Sequence, residues 1–265
     1  MKRVIVTGGA SGMGRATAVM LAQNGYKVYS LDITTNSEKV ENINELIVDV
    51  TSSESVQKAF EVISSLEEQI DAIVHFAGII MMNSLIEISE QQFEKIYNVN
   101  LFGVFRINKT FFPLLNRQNG KIIITTSELA ANSILPFNAI YSITKKALDA
   151  YAEGLRMELG LLGIKVITLR PGAIKTPLIN SSSNQLDALV NNTVLYKGKT
   201  GKFKKIVDSQ QGDTIAPEKI ATLVKNILQK KNPKFIYTKN ANLKLKLLNL
   251  VPSKLQLSIF KSILK

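Results

Sequence analysis

The sequence predicts one α/β domain, a doubly wound parallel sheet with helices on both faces, over residues 1–265. Three observations carry that prediction. Short β-branched apolar runs alternate with amphipathic stretches of helical period. The first such run empties into glycines and then into a helix pattern. No Pro/Gly-rich or low-complexity linker divides the chain.

Taken in order, the apolar runs are VIVT (4–7), KVYSL (27–31), ELIVD (45–49), AIVHF (72–76), KIIIT (121–125), KVITL (165–169) and FIYT (235–238). Runs this short and this rich in Val and Ile fit strands buried on both faces of a parallel sheet. Helix patterns at 15–24, 53–66, 91–115 and 141–162 lie between them, giving βαβ units with right-handed crossovers. Residues 176–215, which include the polar run SSSN at 181–184, read as a substrate loop over a site. Residues 240–265 form a basic amphipathic C-terminal segment.

Composition narrows the functional classes. With 45% hydrophobic and 20% charged residues the chain can bury a sizeable core. The absence of cysteine excludes disulfides, thiolate metal sites and a cysteine nucleophile, and the single histidine leaves no multi-histidine metal site. The opening VIV run is too short for a signal peptide or a membrane span, and no later stretch reaches about 18 uncharged apolar residues. The expected location is therefore cytoplasmic. The net charge of +12 is lopsided: residues 1–196 hold 17 Lys/Arg against 18 Asp/Glu, and residues 197–265 hold 16 against 3. Such a tail suits acidic substrates, anionic membrane surfaces or acidic partners, or is simply a solvated basic surface. No basic stripe interleaved with aromatics is present, so nucleic acid is not an expected partner.

In VIVTGGASGMGRATAVMLA a strand, a glycine-rich turn and a helix follow one another directly, the context that makes a glycine pattern informative. Gly8, Gly12 and Gly14 let the backbone turn tightly and approach a pyrophosphate, which the free amides of the following helix stabilise. Asp32 ends the second strand, 18 residues after Gly14, where an acidic residue binds the ribose hydroxyls of a dinucleotide and repels a 2′-phosphate. Ser11 precedes Gly12, and Ile33, Thr34 and Thr35 follow Asp32, so no cation offsets that repulsion. NAD is expected, with NADP the lesser alternative. Arg15, at the helix start, either reaches a phosphate or is an exposed helix residue.

With these features and those that follow them, the chain resembles the short-chain dehydrogenase/reductases, compact single-domain enzymes of Rossmann-like fold. Thr7, Gly8, Gly12 and Gly14 meet their TGxxxGxG pattern, with Ser11 and Met13 in the turn. The likeness continues through Asp49-Val50, Ala77-Gly78, Asn100 in NVNLFGVF, Ser127, Tyr141 and Lys145 in YSITK, and Pro171-Gly172 with Thr176. It spans about residues 2–180 in order. The resemblance implies a nicotinamide cofactor held by Thr7, Ser11, Met13 and these glycines, by Asp32, Asp49, Val50, Ala77 and Gly78, and by Tyr141, Lys145, Pro171 and Gly172. Ile174 and Thr176 would meet the carboxamide. It also implies a homodimer or homotetramer, formed through the helices that carry Asn100 and Tyr141.

Tyr141 and Lys145 lie four apart in a helix pattern, so both project toward one point. A tyrosine ordinarily holds its proton to a pKa near 10, and a neighbouring ammonium favours the phenolate. Tyr141 can then exchange a proton with an alcohol or a carbonyl. Ser127 follows the fifth strand, at the edge where ligands bind in open α/β sheets, and the resemblance makes it the group that orients the substrate oxygen. The family's usual serine-to-tyrosine spacing is one residue shorter. Ser127 therefore implies a single-residue insertion or a register in which Glu128 intrudes, with Thr126 as a weaker substitute. Asn100 is a poor helix former among Val99, Leu101 and Phe102; in the family the matching asparagine kinks its helix and holds a proton-relaying water. His75 stands where the family has asparagine, and is expected to satisfy backbone groups at a strand end rather than to catalyse.

Specificity is expected in 176–215 and at the C-terminus. Leu178, Ile179, Leu186, Leu189, Val190, Val194 and Leu195 can line a pocket for a lipid-like molecule or pack on the core. Leu255, Ile259, Phe260, Ile263 and Leu264 share one helical face, with Lys254, Lys261 and Lys265 elsewhere. That segment can lie on a membrane as a peripheral contact, close over a greasy substrate, or bury itself against a partner subunit. A looser resemblance to hydroxysteroid and retinol dehydrogenases points to an apolar secondary alcohol or ketone. A 3-oxoacyl thioester reductase using NADPH is the alternative enzyme, and a NAD-binding redox sensor the alternative of another class.

Overall fold

Val4, Val6, Ile73, Val74, Ile122 and Ile123 are fully or almost fully buried, and they form the middle of a sheet covered on both sides. The computed structural model describes residues 1–209 and 214–265. Its strands are β1 (Lys2–Thr7), β2 (Tyr26–Asp32), β3 (Ile43–Ile47), β4 (Ala72–His75), β5 (Lys121–Thr125), β6 (Lys165–Pro171) and β7 (Ile236–Lys239). They form one seven-stranded sheet in the order β3-β2-β1-β4-β5-β6-β7, and every pairing is parallel. The order reverses between β1 and β4, whose ends meet at Thr7 and His75, and a ligand crevice opens at such a switch point.

Helices α1 (Gly12–Gln23), α2 (Ser53–Leu66), α3 (Glu90–Tyr97), α4 (Gly103–Phe111), α5 (Ala139–Gly160) and α8 (Glu218–Gln229) cover the two faces. One core layer joins Ile5, Ile73 and Ile122 to α2, α4 and α5; the other joins Val4, Val74 and Ile123 to α1 and α8. A third cluster, with Leu186, Leu189, Phe203 and Leu264, lies apart from the sheet.

Three expectations change. β3 and β7 are edge strands, half-buried or exposed along most of their length, and not buried strands; each has a neighbour on one side only. The single helix expected over 91–115 is α3, a π-helical turn at Asn98–Phe102, α4 and a 3-10 turn at Phe112–Leu114. The region 176–215, read as a loop, contains α6 (Pro177–Asn192) and α7 (Lys199–Ser209); its residues 210–213 lie outside the described residues. The serines and asparagines of α6, poor helix formers, hid it. Pro177 at its first turn was the start signal. Beyond β7 the chain ends in α9 (Leu243–Leu248) and α10 (Ser253–Ile263).

Candidate active site

Two clefts meet at the C-terminal edge of the sheet, sharing Met13, Phe76, Gly78, Ile79 and Thr176 on their walls. The first, about 790 Å³, runs along the turn between β1 and α1 and over the ends of β2 and β3. Gly8 has φ +70° and Gly12 φ +52°, the left-handed region where glycine is favoured. At Gly8 a Cβ would sit 2.6 Å from the Ala77 nitrogen, and at Gly14 it would sit 1.9 Å from the Gly8 carbonyl oxygen. Ser11 stands at the N-cap of α1 without capping it, and the first turn holds no acidic residue. The amides at that helix end are thus left for a ligand, and an uncapped N-terminus beside a glycine cradle fits a pyrophosphate.

The remaining cofactor candidates line the same cleft or brace it. Asp32 lines it and accepts a hydrogen bond from the Ala10 amide at 2.9 Å. Asp49 and Val50 line its far end; the Asp49 carboxylate accepts the Thr51 amide at 2.8 Å. Thr7 is buried, and its hydroxyl accepts the Ala77 amide at 3.3 Å, tying β1 to the segment after β4. Arg15 is neither an exposed helix residue nor free: it pairs with Glu45 at 3.1 Å and donates to the Glu38 carbonyl at 2.9 Å. Glu45, on neighbouring β3, gathers Lys39 and Asn36 as well.

The second cleft, about 630 Å³, holds Ser127, Tyr141 and Lys145 on its wall. Tyr141 and Lys145 are in the first turns of α5, and both are buried. The Lys145 ammonium sits 5.7 Å from the centre of the Tyr141 ring and donates to the Thr125 carbonyl at 3.3 Å. Burial pushes the Tyr141 phenol up to about 12, with a hydrogen bond to the Ser127 hydroxyl working the other way. Burial pulls Lys145 down to about 8. In the protein by itself, burial therefore outweighs the acidifying effect expected of the ammonium, and Tyr141 keeps its proton at neutral pH.

Ser127 faces Tyr141 across the cleft in spite of the longer spacing, and its hydroxyl accepts the Leu129 amide at 3.2 Å. The intervening segment holds Phe137 at φ 60°, a strained conformation for an aromatic residue. Thr126 is not the substitute, since its hydroxyl is committed to Asp149 at 3.1 Å. Glu128 also lines the cleft, and its carboxylate accepts the Asn242 amide at 2.6 Å, at the entrance to α9. From sequence, Glu128 enters only as a register alternative, and nothing local could reveal that a residue 114 positions away would close over it.

Asn100 is fully buried in the π-helical turn. Its side chain accepts the Ile79 amide at 2.8 Å and donates to the Ile79 carbonyl at 2.9 Å and to Thr144 at 3.1 Å. It therefore pins the strand end that carries Gly78 against α5, beside Lys145. At Gly78 a Cβ would lie 3.2 Å from the Asn100 Oδ1 and 3.6 Å from the Lys145 ammonium. Pro171, at the end of β6, and Gly172 and Ile174 just beyond it line the second cleft. The close approach that Gly172 permits is to the Asn240 carbonyl, 1.9 Å from where its Cβ would be. Thr176 starts α6, packs against Gly12 and donates to the Ile174 carbonyl at 3.2 Å.

His75 is buried beneath the site, with its Nε2 2.8 Å from the Asn108 Oδ1. The partner is a side chain and not the backbone groups expected. Asn108 donates from its amide nitrogen to Tyr151 at 3.2 Å, which leaves its oxygen to accept from His75. Burial holds the imidazole down to about 4, so it is neutral near pH 7.

Comparison with known proteins assigns the family. The profile of the short chain dehydrogenase family matches residues 2–187. The chain is 31% identical over 244 residues to the uncharacterized oxidoreductase YbbO of Escherichia coli strain K12, covering 89% of this chain and 84% of that protein. It is 29% identical over 232 residues to the 3-ketodihydrosphingosine reductase of Bacteroides thetaiotaomicron, covering 88% and 85%. Among solved structures, a short-chain dehydrogenase from Streptomyces avermitilis superposes with a TM-score of 0.79 at 19% identity, covering 99% of this chain and 96% of that one, a likeness of fold. The alcohol dehydrogenase of Thermococcus sibiricus, complexed with 5-hydroxy-NADP, has a TM-score of 0.72 at 26% identity, covering 90% and 96%. By sequence profile, relatives and fold together, the chain belongs to the short chain dehydrogenase family and is an oxidoreductase.

Proposed function

We propose that this oxidoreductase interconverts a secondary alcohol and a ketone on a long-chain, lipid-like molecule, using NAD, with Tyr141 as the acid/base. One observation carries the reading: Ser127, Tyr141 and Lys145 meet at the head of a cleft whose outer walls are the apolar side chains of α6, α7, α9 and α10. Gly8, Gly12, Gly14, Asp32, Asp49 and Val50 would hold the nicotinamide dinucleotide, which when bound supplies or accepts hydride. Ser127 orients the substrate oxygen. Tyr141, which burial keeps protonated, gives its proton to a ketone oxygen. Lys145 holds its place through the Thr125 carbonyl and offsets the charge left on the phenol. Asn100 fixes the backbone beside Lys145.

The polar head of the substrate lies at Ser127 and Glu128, and its alkyl chain runs under Leu245, Leu248 and Phe260. The similarity to a protein named as a 3-ketodihydrosphingosine reductase supports a lipid ketone. The Asp32 carboxylate supports NAD, since it would repel a 2′-phosphate. The test is absorbance at 340 nm with NADH or NADPH against long-chain 3-ketones, ketosteroids, retinal and 3-oxoacyl thioesters. Turnover of the long-chain ketones with NADH supports the reading. Turnover of the thioesters with NADPH would replace both cofactor and substrate, and NAD binding without turnover would make the chain a sensor. Asp32→Ala should narrow the preference for NADH over NADPH by about tenfold or more, a change of about 1.4 kcal/mol; an unchanged ratio would place the ribose elsewhere.

A further inference from the structure

We propose that the outward face of α9 and α10 docks on an anionic lipid bilayer and sets the mouth of the substrate cleft against the membrane. Helix α9 divides its side chains between two faces, and α10 closes the cleft beside it. Leu245, Leu248 and Phe260 point inward and line the cleft, and Leu264 is buried with Leu186 and Phe203. Asn249 staples the end of α9 to the body, accepting the Ser133 amide at 2.6 Å and donating to Asn132 at 2.7 Å. The helices therefore hold their place without their outer residues. Yet Leu243, Leu247 and Leu250, which share the outward face of α9 and the turn after it at helical spacing, are each more than half exposed, and Leu255 and Leu257 lie exposed on either flank of α10. Isolated exposed leucines are ordinary, but a cluster of this density marks a contact surface.

Charge identifies the occupant. From residue 219 to the C-terminus the chain has 11 lysines and no acidic residue. Five of them, Lys244, Lys246, Lys254, Lys261 and Lys265, are exposed on or beside these two helices. A second copy meeting this face across a two-fold axis would bring two lysine rows together, and like charges repel. Anionic headgroups neutralise the lysines while the leucines reach the acyl boundary, the arrangement of an interfacial helix. Among the described residues no helix is long and apolar enough to cross a membrane, so the contact is peripheral. Ile259 and Ile263 are exposed and also line the cleft, so docking in this orientation would open the cleft beside the acyl chains. The surface rests on its own residues; only its purpose, delivery of a lipid substrate, rests on the proposed function.

The test is sedimentation of the full chain with vesicles of phosphatidylcholine alone, or of phosphatidylcholine mixed with phosphatidylglycerol. The chain should pellet with the anionic vesicles only and return to solution as salt rises, because the attraction is screened. The double variant Leu247→Glu/Leu250→Glu alters two residues that do not line the cleft. It should weaken vesicle binding by about tenfold or more, with turnover of a short water-soluble ketone unchanged. Recovery in solution with both vesicles, or undiminished binding by the double variant, overturns the proposal. A dimer in light scattering that the double variant converts to monomer assigns the face to a second copy and overturns it equally. Binding is read without substrate, so a failure of the lipid-ketone reading leaves this result distinguishable.

Discussion

Around the cofactor cleft, each glycine is required by a particular neighbour: Gly8 by the Ala77 amide, Gly14 by the Gly8 carbonyl. Around the outer substrate cleft, Leu186, Phe203 and Leu264 fill space that other apolar side chains of similar volume would fill. Backbone geometry and charge define the first region, and bulk apolar packing defines the second. Residue identity is therefore informative in one half of the site and nearly silent in the other, and substitutions of one kind should have opposite consequences in the two.

The largest effect is expected where the halves meet. Tyr141→Phe keeps the ring packed but removes the hydroxyl proposed as the proton donor, so turnover should fall by about 100- to 10,000-fold, the usual worth of a positioned acid/base. NAD affinity, measured by fluorescence titration, should change little. A variant keeping substantial turnover would remove Tyr141 from the chemistry.

Gly14→Ala tests the cofactor half by itself. Its Cβ would lie 1.9 Å from a backbone oxygen that no rotamer change can move. A destabilisation of about 3 kcal/mol is expected, the upper range for overpacking, together with a loss of NAD affinity. Thermal melting and cofactor titration read both. An unperturbed melt would mean that the turn is far softer than its geometry indicates.

That contrast explains what the sequence could reveal. The strands around β1, β4, β5 and β6, the glycine turn and the Tyr141–Lys145 pair were legible because each needs specific residue types at fixed spacing. The π-helical turn around Asn100 was visible only as a poor helix former in an apolar run, since the bonds to Ile79 and Thr144 that stabilise it come from distant segments. Helix α6 was missed because tertiary packing of Leu186 and Leu189 overrides the weak propensity of its serines and asparagines. Glu128 gained its place from α9, which no local pattern connects to it.

His75 sharpens the comparison from beneath the cofactor half, where a charge would be buried. Its folded pKa is held at about 4, below its ordinary value of 6.5. Its contribution to stability is therefore fully present above pH 6.5. As pH falls from 6.5 toward 4 the unfolded chain takes up a proton that the folded chain refuses, and the contribution is lost. The gap between the folded and ordinary values corresponds to about 3 kcal/mol over the whole window. Urea unfolding at pH 7 and at pH 5, above the range where most carboxylates titrate, should show part of that loss in the wild-type chain and much less in His75→Gln. Equal slopes in the two proteins would assign the acid sensitivity to another group.

The smallest effect should have the opposite sign. Gly201 lies inside α7, in the substrate half, with a helical neighbour on each side. A Cβ added there meets no atom within 4 Å, and its φ is not positive. Alanine at this position keeps the fold's contacts and restricts the unfolded chain, which favours folding by about 0.5–1 kcal/mol. Gly201→Ala should therefore raise the melting temperature by a few degrees, the reverse of Gly14→Ala, while leaving NAD affinity untouched. A destabilised Gly201→Ala would mean that α7 needs a backbone freedom its helical geometry does not require, as a segment that opens to admit substrate would. In that case its cost should appear in the KM for the lipid ketone and not in kcat for a short one.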